Sequence, residues 1–255
     1  MKSSDFRAEA RKRLDGKWGK VAIITLAYFA IFFLFGFIRG FFGEDSIFQS
    51  LCSIAISIIE VPLAFGLINA LFKVFNSEDV QAFDFFSLGF NNFAKSWKIS
   101  FHIFLKLIIP IILTIVSMVL ISSGLVIGAA STLISRPHTN SMLILALLGF
   151  VLYIVSIVWT AMQSYYYSLA YIISADRPAL EAKQAVEESK KLMIGNRSKL
   201  FCLHLSFIGW AILAVLTFGI GYLWLFPYIQ FSMFAFYKKL TGNNVLEVKD
   251  DNPIK

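Results

Sequence analysis

Residues 16–37 read GKWGKVAIITLAYFAIFFLFGF, and this stretch decides the fold of the chain. Two lysines and a tryptophan come first, and an apolar run without a charged side chain follows as far as Phe37. An α-helix of about 20 apolar residues is long enough to cross the roughly 30 Å hydrocarbon core of a bilayer. The stretch therefore predicts a membrane-spanning helix that begins at a basic edge.

The Gly-Lys pairs of this stretch do not form a phosphate-binding loop. Such a loop needs an earlier glycine and a Ser or Thr directly after the lysine, and LDGKWGKV (residues 14–21) has neither. Removal as a signal peptide is not expected either, because the apolar run reaches Phe42 without a small-residue cleavage site. The stretch is interpreted as a retained membrane helix.

The composition extends this interpretation to the whole chain. Hydrophobic residues make up 58% of the 255 residues and charged residues only 15%, with 27 phenylalanines and a mean hydropathy of +0.72. A soluble domain averages about half apolar and a quarter charged residues. The composition therefore favours a multi-pass membrane protein over a soluble one.

Six apolar runs predict an all-α bundle of six transmembrane helices arranged as three hairpins. The runs are 21–42, 47–75, 99–125, 143–174, 200–218 and 220–237. Helices are expected because backbone polar groups find no water partners in lipid. The middle of the chain leaves two alternatives open: two long helices that rise beyond the outer surface, or a reentrant or interfacial cap over 123–145.

The basic residues orient the bundle. All but Arg39 and Arg136 of the 23 Lys and Arg residues lie in the N-terminal arm, in the connections after the second and fourth runs and the flanks of these connections, or in the C-terminal tail. Basic residues concentrate on the cytoplasmic side of membrane proteins. Both termini are therefore predicted to be cytoplasmic, and the net charge of +7 predicts attraction to anionic lipid headgroups rather than to nucleic acid.

A threefold internal repeat is predicted from the two ends of each hairpin. The segments that lead into the membrane are similar: GKWGKVAII (16–24), AKSWKISFH (94–102) and GNRSKLFCL (195–203). The segments that leave it are also similar: EVPLAFGLINALFK (60–73), TAMQSYYYSLAYII (160–173) and LFPYIQFSMFAFYK (225–238). The single membrane domain 1–255 is accordingly divided into repeats 1–75, 76–174 and 175–240, followed by a polar tail, 241–255.

A polar, cytoplasmic amphipathic helix is predicted before each hairpin, over 4–15, 78–97 and 178–194. The second carries an aromatic stripe: Phe83, Phe86, Phe90, Phe93 and Trp97. Such a stripe either lies on the membrane surface or packs against neighbouring helices. In the third, Pro178 suits a first helical turn and Gly195 suits the position just after the last turn.

The end of the chain resembles a known family. ESKKLMIGNRSKLFCLHLSFIGWAILAVLTFGIGYLWLFPYIQFSMFAFY (188–237) is similar to the C-terminal hallmark of the bacterial integral-membrane family called domain of unknown function 975, and AEARKRLDGKWGKVAI (8–23) is similar to its N-terminal motif. The resemblance implies a protein of the bacterial cytoplasmic membrane. It implies no activity and no catalytic residues.

Glu60 is the main candidate functional residue, because placing an ionisable group near the middle of a membrane span costs free energy. Such a residue is therefore a candidate for a functional site by default. Pro62 removes the backbone donor that would reach the carbonyl of Ile58. A carboxylate beside a freed carbonyl would suit a proton, a cation or a lipid amine; alternatively Glu60 only fixes helix packing. Lys106 either extends to the interface or pairs with Glu60.

Two further groups of candidates lie in the spans and at their cytoplasmic edges. Gln163 and Gln230 either line a cavity around Glu60 or cross-link helices. The predicted interface anchors are Lys17, Trp18, Lys20, Lys95, Trp97, Lys98, Arg197 and Lys199. No catalytic set, metal site or cofactor motif is predicted, and Cys52 and Cys202 are interpreted as thiols near opposite membrane faces.

These residues favour a non-enzymatic function. The leading interpretation is a small permease or lipid-handling protein with Glu60 at its centre, whose partners include membrane lipids. The alternative is an accessory or scaffold protein, or a membrane-protection protein of the bacteriocin-immunity kind, with a protein partner at its cytoplasmic face. The substrate, the oligomeric state and the charge of Glu60 do not follow from the sequence.

Overall fold

A computed structural model describes residues 3–41, 47–133 and 139–250, and all regular structure in these ranges is helical. The predicted all-α class is therefore confirmed for the described residues. Their helices are α1 (Ser3–Leu14), α2 (Trp18–Phe41), α3 (Ile47–Phe75), α4 (Asp84–Phe90), α5 (Phe93–Leu133), α6 (Thr139–Tyr167), α7 (Ala170–Asp176), α8 (Ala182–Met193), α9 (Arg197–Leu205), α10 (Ile208–Leu216) and α11 (Tyr222–Asp250).

Five stretches of the described chain are long and apolar enough to cross a membrane. They are Trp18–Ile38, Ile47–Phe75, Phe93–Gly124, Ile144–Asp176 and Arg197–Leu216. They correspond to the first five predicted runs. The sixth run, 220–237, lies in α11 but is not among them, because Tyr, Trp, Gln and Ser lower its apolar character and two lysines follow it at once.

The middle of the chain forms two long helices. α5 continues through Ser122, Ser123 and Gly124 to Leu133, and α6 begins at Thr139. This matches the alternative of two long helices rather than a separate cap, while the connection 134–138 lies outside the described residues. The fourth predicted run is not one helix, because it breaks between α6 and α7.

The core lies where the predicted cytoplasmic ends of the helices meet. Aromatic rings of α3 and α11 form its centre: Phe72 and Phe75 contact Phe234 at ring-centroid distances of 5.2 and 5.6 Å. Away from this core, α2, α3, α5 and α6 present large apolar side chains outward. Such an exposed apolar surface is expected of helices whose surroundings are lipid.

The short helices pack in a cyclic order. α4 lies against α3, α8 lies against α6 and α7, and α1 lies against α11. Each short helix therefore contacts the hairpin of the predicted repeat before its own, and α1 of the first repeat contacts the last. This order places all three short helices around the same end of the bundle.

Two glycines end short helices in the left-handed region. Gly16 follows α1 with φ = +70° and Gly195 follows α8 with φ = +76°, so the prediction for Gly195 is confirmed. The prediction for Pro178 is wrong: α8 begins four residues later, at Ala182, and Pro178 lies in the preceding turn. There Gln184 accepts a hydrogen bond from the N–H of Glu181 and starts the helix instead.

Candidate functional site

The Pro62 region of α3 is held against α4 by two glycines. A Cβ atom on Gly66 would lie 2.0 Å from the carbonyl oxygen of Phe85, and one on Gly89 would lie 2.3 Å from the carbonyl oxygen of Pro62. Only glycine permits such an approach of two helix backbones. The crossing fixes α4, which carries Phe86 and Phe90 of the aromatic stripe, beside the helix that carries Glu60. The helix predicted over 78–97 is not continuous, because α4 ends at Phe90 and both Phe93 and Trp97 belong to α5.

The carbonyl that Pro62 frees is satisfied by a side chain of another helix. The indole Nε1–H of Trp97 donates to the carbonyl of Ile58 at 3.1 Å. Proline in a helix leaves this carbonyl without its usual partner. Trp97, predicted as an interface anchor, therefore binds α3, and the Ile58 carbonyl is not an empty ligand for a cation.

Glu60 lies exposed on α3, in the middle of the candidate span Ile47–Phe75. Its carboxylate interacts electrostatically with Tyr28 of α2, whose ring packs 5.9 Å from that of Phe85. Among the described residues it forms no ion pair with Lys106, which is also exposed on α5. The structure thus does not bring this predicted pair together.

Gln163 of α6 and Gln230 of α11 are both half-buried. Within the described part of the chain, neither carboxamide forms a hydrogen bond to another helix or lines one of the clefts described below. The structure therefore does not join these two residues to Glu60 in one site.

Three predicted lysine anchors bind the protein's own loops. Lys17 Nζ donates to the hydroxyl of Ser77, in the loop after α3, at 3.0 Å and to the carbonyl of Val74, at the end of α3, at 3.2 Å. Lys95 Nζ donates to the carbonyl of Pro178 at 2.8 Å. Lys20 forms an ion pair with Asp79, and its ammonium lowers the pKa of that carboxyl by hydrogen bonding and by charge. These lysines tie the start of a hairpin to the loop that follows it.

Two other predicted anchors remain directed outward. Lys98 is exposed on α5, and Lys199 is exposed on α9, where its ammonium donates to the side chain of Asn196 at 2.9 Å. Exposed cations at the ends of apolar helices are placed to meet headgroup phosphates. The anchors therefore divide into lysines that hold loops and lysines that face the surroundings.

Arg197 lies at one end of an apolar cleft between α6 and α9. The cleft has a volume of about 520 Å³, and its lining residues are Ile157, Val158, Ala161, Met162, Tyr165, Arg197, Ser198 and Phe201. The guanidinium of Arg197 stacks 4.2 Å from the centre of the Tyr166 ring. The cleft thus combines a long apolar wall with a cation and a hydroxyl at one end.

A second cleft, of about 430 Å³, lies between α2, α10 and α11. Its lining includes Arg11 of α1 and three tryptophans: Trp18, Trp210 and Trp224. Trp18, predicted as an anchor, packs 6.0 Å from the ring of Tyr228. The sequence did not indicate that Arg11, Trp210 and Trp224 line one cleft, because Arg11 lies about 200 residues from both tryptophans.

Sequence reasoning also missed the structural role of Ser189, a residue of α8. Its hydroxyl donates to the carbonyl of Tyr166 at 2.8 Å and accepts from the N–H of Leu169 at 3.2 Å. These are the backbone groups freed where α6 breaks before α7. Only the break between α6 and α7 would have indicated that a side chain must bind these backbone groups. The periodicity of the apolar run did not reveal that break.

The described residues contain no group of three or more His, Cys, Asp and Glu side chains that would hold a metal ion. Together with the five apolar stretches of spanning length, these features define the class of the chain, an all-helical protein with the character of a membrane protein. The family described as "Protein of unknown function (DUF975)" matches residues 1–244, and the chain belongs to this family. No curated protein and no solved structure matches it.

Proposed function

We propose that the protein is a non-enzymatic, lipid-handling protein of the bacterial cytoplasmic membrane that binds anionic phospholipid in the Arg197 cleft. The observation that carries the proposal is the position of Arg197 at the end of an apolar cleft. A guanidinium forms paired, charge-assisted hydrogen bonds to phosphate. The adjoining apolar wall is suited to an acyl chain.

The surroundings of Arg197 support this assignment. Its ring contact with Tyr166 orients the guanidinium, so that less side-chain freedom is lost on binding. Ser198 adds a hydroxyl donor at the same end of the cleft. The other lining residues are apolar or aromatic, as in most small-molecule sites.

Glu60 supplies the second part of the proposal. An exposed carboxylate at the middle of an apolar helix needs a proton or a positive partner when the helix lies in lipid. We assign it to a proton or to the amine of a zwitterionic headgroup. A Glu60→Gln variant is then expected to abolish any pH-dependent lipid or solute movement in proteoliposomes, and unchanged movement would exclude this role.

The architecture that fits the proposal is three hairpin repeats with both termini cytoplasmic. Lys17 and Lys95 occupy equivalent repeat positions and donate to Ser77 and Pro178, in the loops after their own hairpins. The first and third repeats also share a burial pattern, since Phe6, Ala10, Leu14, Val21 and Ile24 and their counterparts Ala185, Ser189, Met193, Leu200 and Leu203 are all buried. The cyclic packing of α1, α4 and α8 supports the same division.

The binding proposal is tested by replacing Arg197 with alanine in the full chain. Hydrogen bonds to charged groups contribute about 1.5–3 kcal/mol, so affinity for phosphatidylglycerol in nanodiscs or by native mass spectrometry should fall roughly 10- to 100-fold. Arg197→Lys should retain part of the affinity because the charge remains.

Lys199→Ala is the matched control, because it removes the same charge two residues away without altering the cleft lining. Equal affinity of Arg197→Ala and wild type would contradict the proposal. Equal losses of affinity in both variants would show that lipid binding is only an unspecific attraction between basic residues and an anionic membrane.

An accessory or scaffold role is the second candidate, and the aromatic stripe favours it. Phe86, Phe90 and Phe93 are exposed, with stacked rings at 5.0 and 6.3 Å. Replacing Phe86 and Phe90 with serine should release a co-purifying protein partner, with exposed Phe101→Ser of α5 as the control. Unchanged recovery of the partner would argue against this role.

A further inference from the structure

We infer that Ala161 and Ser198 determine the specificity of the Arg197 cleft, because these small residues leave room for an acyl chain where larger residues fill the equivalent places in the bundle. The inference rests on the proposed lipid binding in this cleft and on the proposed division into three repeats. The equivalent places are the seams, the contacts between the last membrane helix of one hairpin and the first helix of the next. In the described chain these seams join α3 to α5, α6 to α9 and, in cyclic order, α11 to α2.

The α3–α5 seam is bridged by a tryptophan. The alignment of the segments that lead into the membrane pairs Trp97 with Ser198, and that of the segments that leave it, extended by two residues, pairs Ile58 with Val158. The indole N–H of Trp97 donates to the carbonyl of Ile58 at 3.1 Å. At the α6–α9 seam the counterparts Ser198 and Val158 both line the cleft instead. The cleft therefore lies where the preceding seam holds an indole ring.

The α11–α2 seam is closed by aromatic rings. Phe226 of α11 packs against Phe29 of α2 with ring centroids 6.1 Å apart. The same alignment pairs Phe226 with Ala161, which lines the cleft of about 520 Å³ at the α6–α9 seam. A methyl group in place of a phenyl ring leaves space beside α9 that no side chain of the lining fills.

The open seam is also the one that carries a cation. The counterparts of Arg197 in the other two repeats are Trp18 and Ser96. Trp18 packs against the ring of Tyr228, and Ser96 is buried and donates to the carbonyl of Phe93 at 2.8 Å. Protein interiors are normally close-packed, so a gap that coincides with a guanidinium in one of three equivalent seams indicates a ligand site rather than a packing defect.

This arrangement separates two parts of lipid recognition. Arg197 attracts the headgroup phosphate whatever the length of the acyl chain, whereas Ala161 and Ser198 provide the space in which the chain is buried. Burial of about two further methylene groups corresponds to a tenfold gain in affinity. The dependence of affinity on chain length should therefore reside in the two small residues.

Chain-length dependence of lipid binding tests the inference in the full chain. Apparent Kd values are measured by native mass spectrometry, in one detergent, for dioleoyl- and dihexanoyl-phosphatidylglycerol. The wild type should prefer the long-chain lipid. Ser198→Trp and Ala161→Phe should each reduce this preference at least about tenfold, because the added ring occupies the space of the acyl chain.

Two controls separate the size of the side chain from its other effects. Ser198→Ala removes the hydroxyl without adding bulk, so it should keep the preference for the long chain. Ser164→Trp adds an indole to an exposed position of α6 outside the cleft lining and should keep it too. Ala161→Leu replaces either bulky variant if that variant is not recovered as a monodisperse protein. A wild-type preference in the bulky variants, or an equal loss in Ser164→Trp, would overturn the inference.

Failure of the proposed function would give a different pattern. If Arg197→Ala binds both lipids as the wild type does, the anionic site itself is excluded, and the inference with it. If Arg197→Ala loses affinity for both lipids while Ser198→Trp and Ala161→Phe keep the chain-length preference, the anionic site stands and only the role of the two small residues is excluded.

Discussion

The crossing of α3 and α4 offers a direct test of the packing beside Glu60, through Gly66→Ala. The added methyl group would lie 2.0 Å from the carbonyl oxygen of Phe85 and 2.8 Å from the backbone nitrogen of Gly89. Both neighbours are backbone atoms, so α4 must move by roughly 1.4 Å to restore an ordinary 3.4 Å contact. Overpacking of a well-packed contact costs about 1–3 kcal/mol.

The assay is thermal unfolding in mild detergent, followed by size-exclusion chromatography with fluorescence detection. At about 2–4 °C per kcal/mol for a chain of this size, Gly66→Ala should lower Tm by roughly 2–12 °C. Gly36→Ala on α2 is the matched control, because a Cβ there meets nothing within 4 Å, and it should leave Tm unchanged or raise it slightly. Equal Tm values for the two variants would refute the argument that the backbone contact holds α4.

Three further predictions concern the contacts that connect the helices. Ser189→Ala should lower stability by about 1–3 kcal/mol, because it leaves buried backbone groups at the α6–α7 break without a hydrogen-bond partner. An unchanged Tm would show that another group replaces the serine as that partner. Trp97→Phe should weaken the seam between α5 and α3 by about 1 kcal/mol and lower Tm by roughly 2–4 °C, and an unchanged Tm would contradict that. Asp79 has a lowered pKa, so its contribution exists above the unfolded pKa and is lost as pH falls through the folded one. The Tm difference between wild type and Asp79→Asn at pH 7 should therefore shrink as the pH falls below the usual range of an aspartate and vanish once Asp79 is protonated in the folded chain. A difference that persists at that point would exclude the pair with Lys20.

Local chemistry explains which parts of the fold could be predicted from the sequence. A run of apolar residues without a charge has to be helical in lipid, so the helices around Tyr28 and Pro62 follow from composition alone. Gly195 was predictable because a left-handed residue after a helix favours glycine. The place of Pro178 was not predictable, because a proline suits both a first helical turn and the turn that precedes it. Only the hydrogen bond between Gln184 and Glu181 shows that the helix begins after Pro178.

The candidate site was less predictable, because its residues meet across large sequence distances. Pro62 indicates that the Ile58 carbonyl lacks its helical hydrogen bond, but nothing in the sequence shows that the indole of Trp97 donates to it. Glu60 and Lys106 have opposite charges, yet both are exposed and no ion pair joins them among the described residues, because charge alone does not fix the direction of a side chain. The Arg197 cleft depends on where α6 and α9 approach each other, which is a property of packing between repeats.

The cyclic packing of the short helices has a consequence for biosynthesis. α1 leaves the ribosome before the other described helices, but its buried residues Phe6, Ala10 and Leu14 pack against α11, the last of them. Until α11 is made, the apolar face of α1 lacks its native cover, whereas α4 can dock on α3 as soon as it is synthesised. Premature termination before Tyr222 should therefore leave an inserted but unclosed chain, with α1 as the segment that proteases and chaperones of the membrane would recognise.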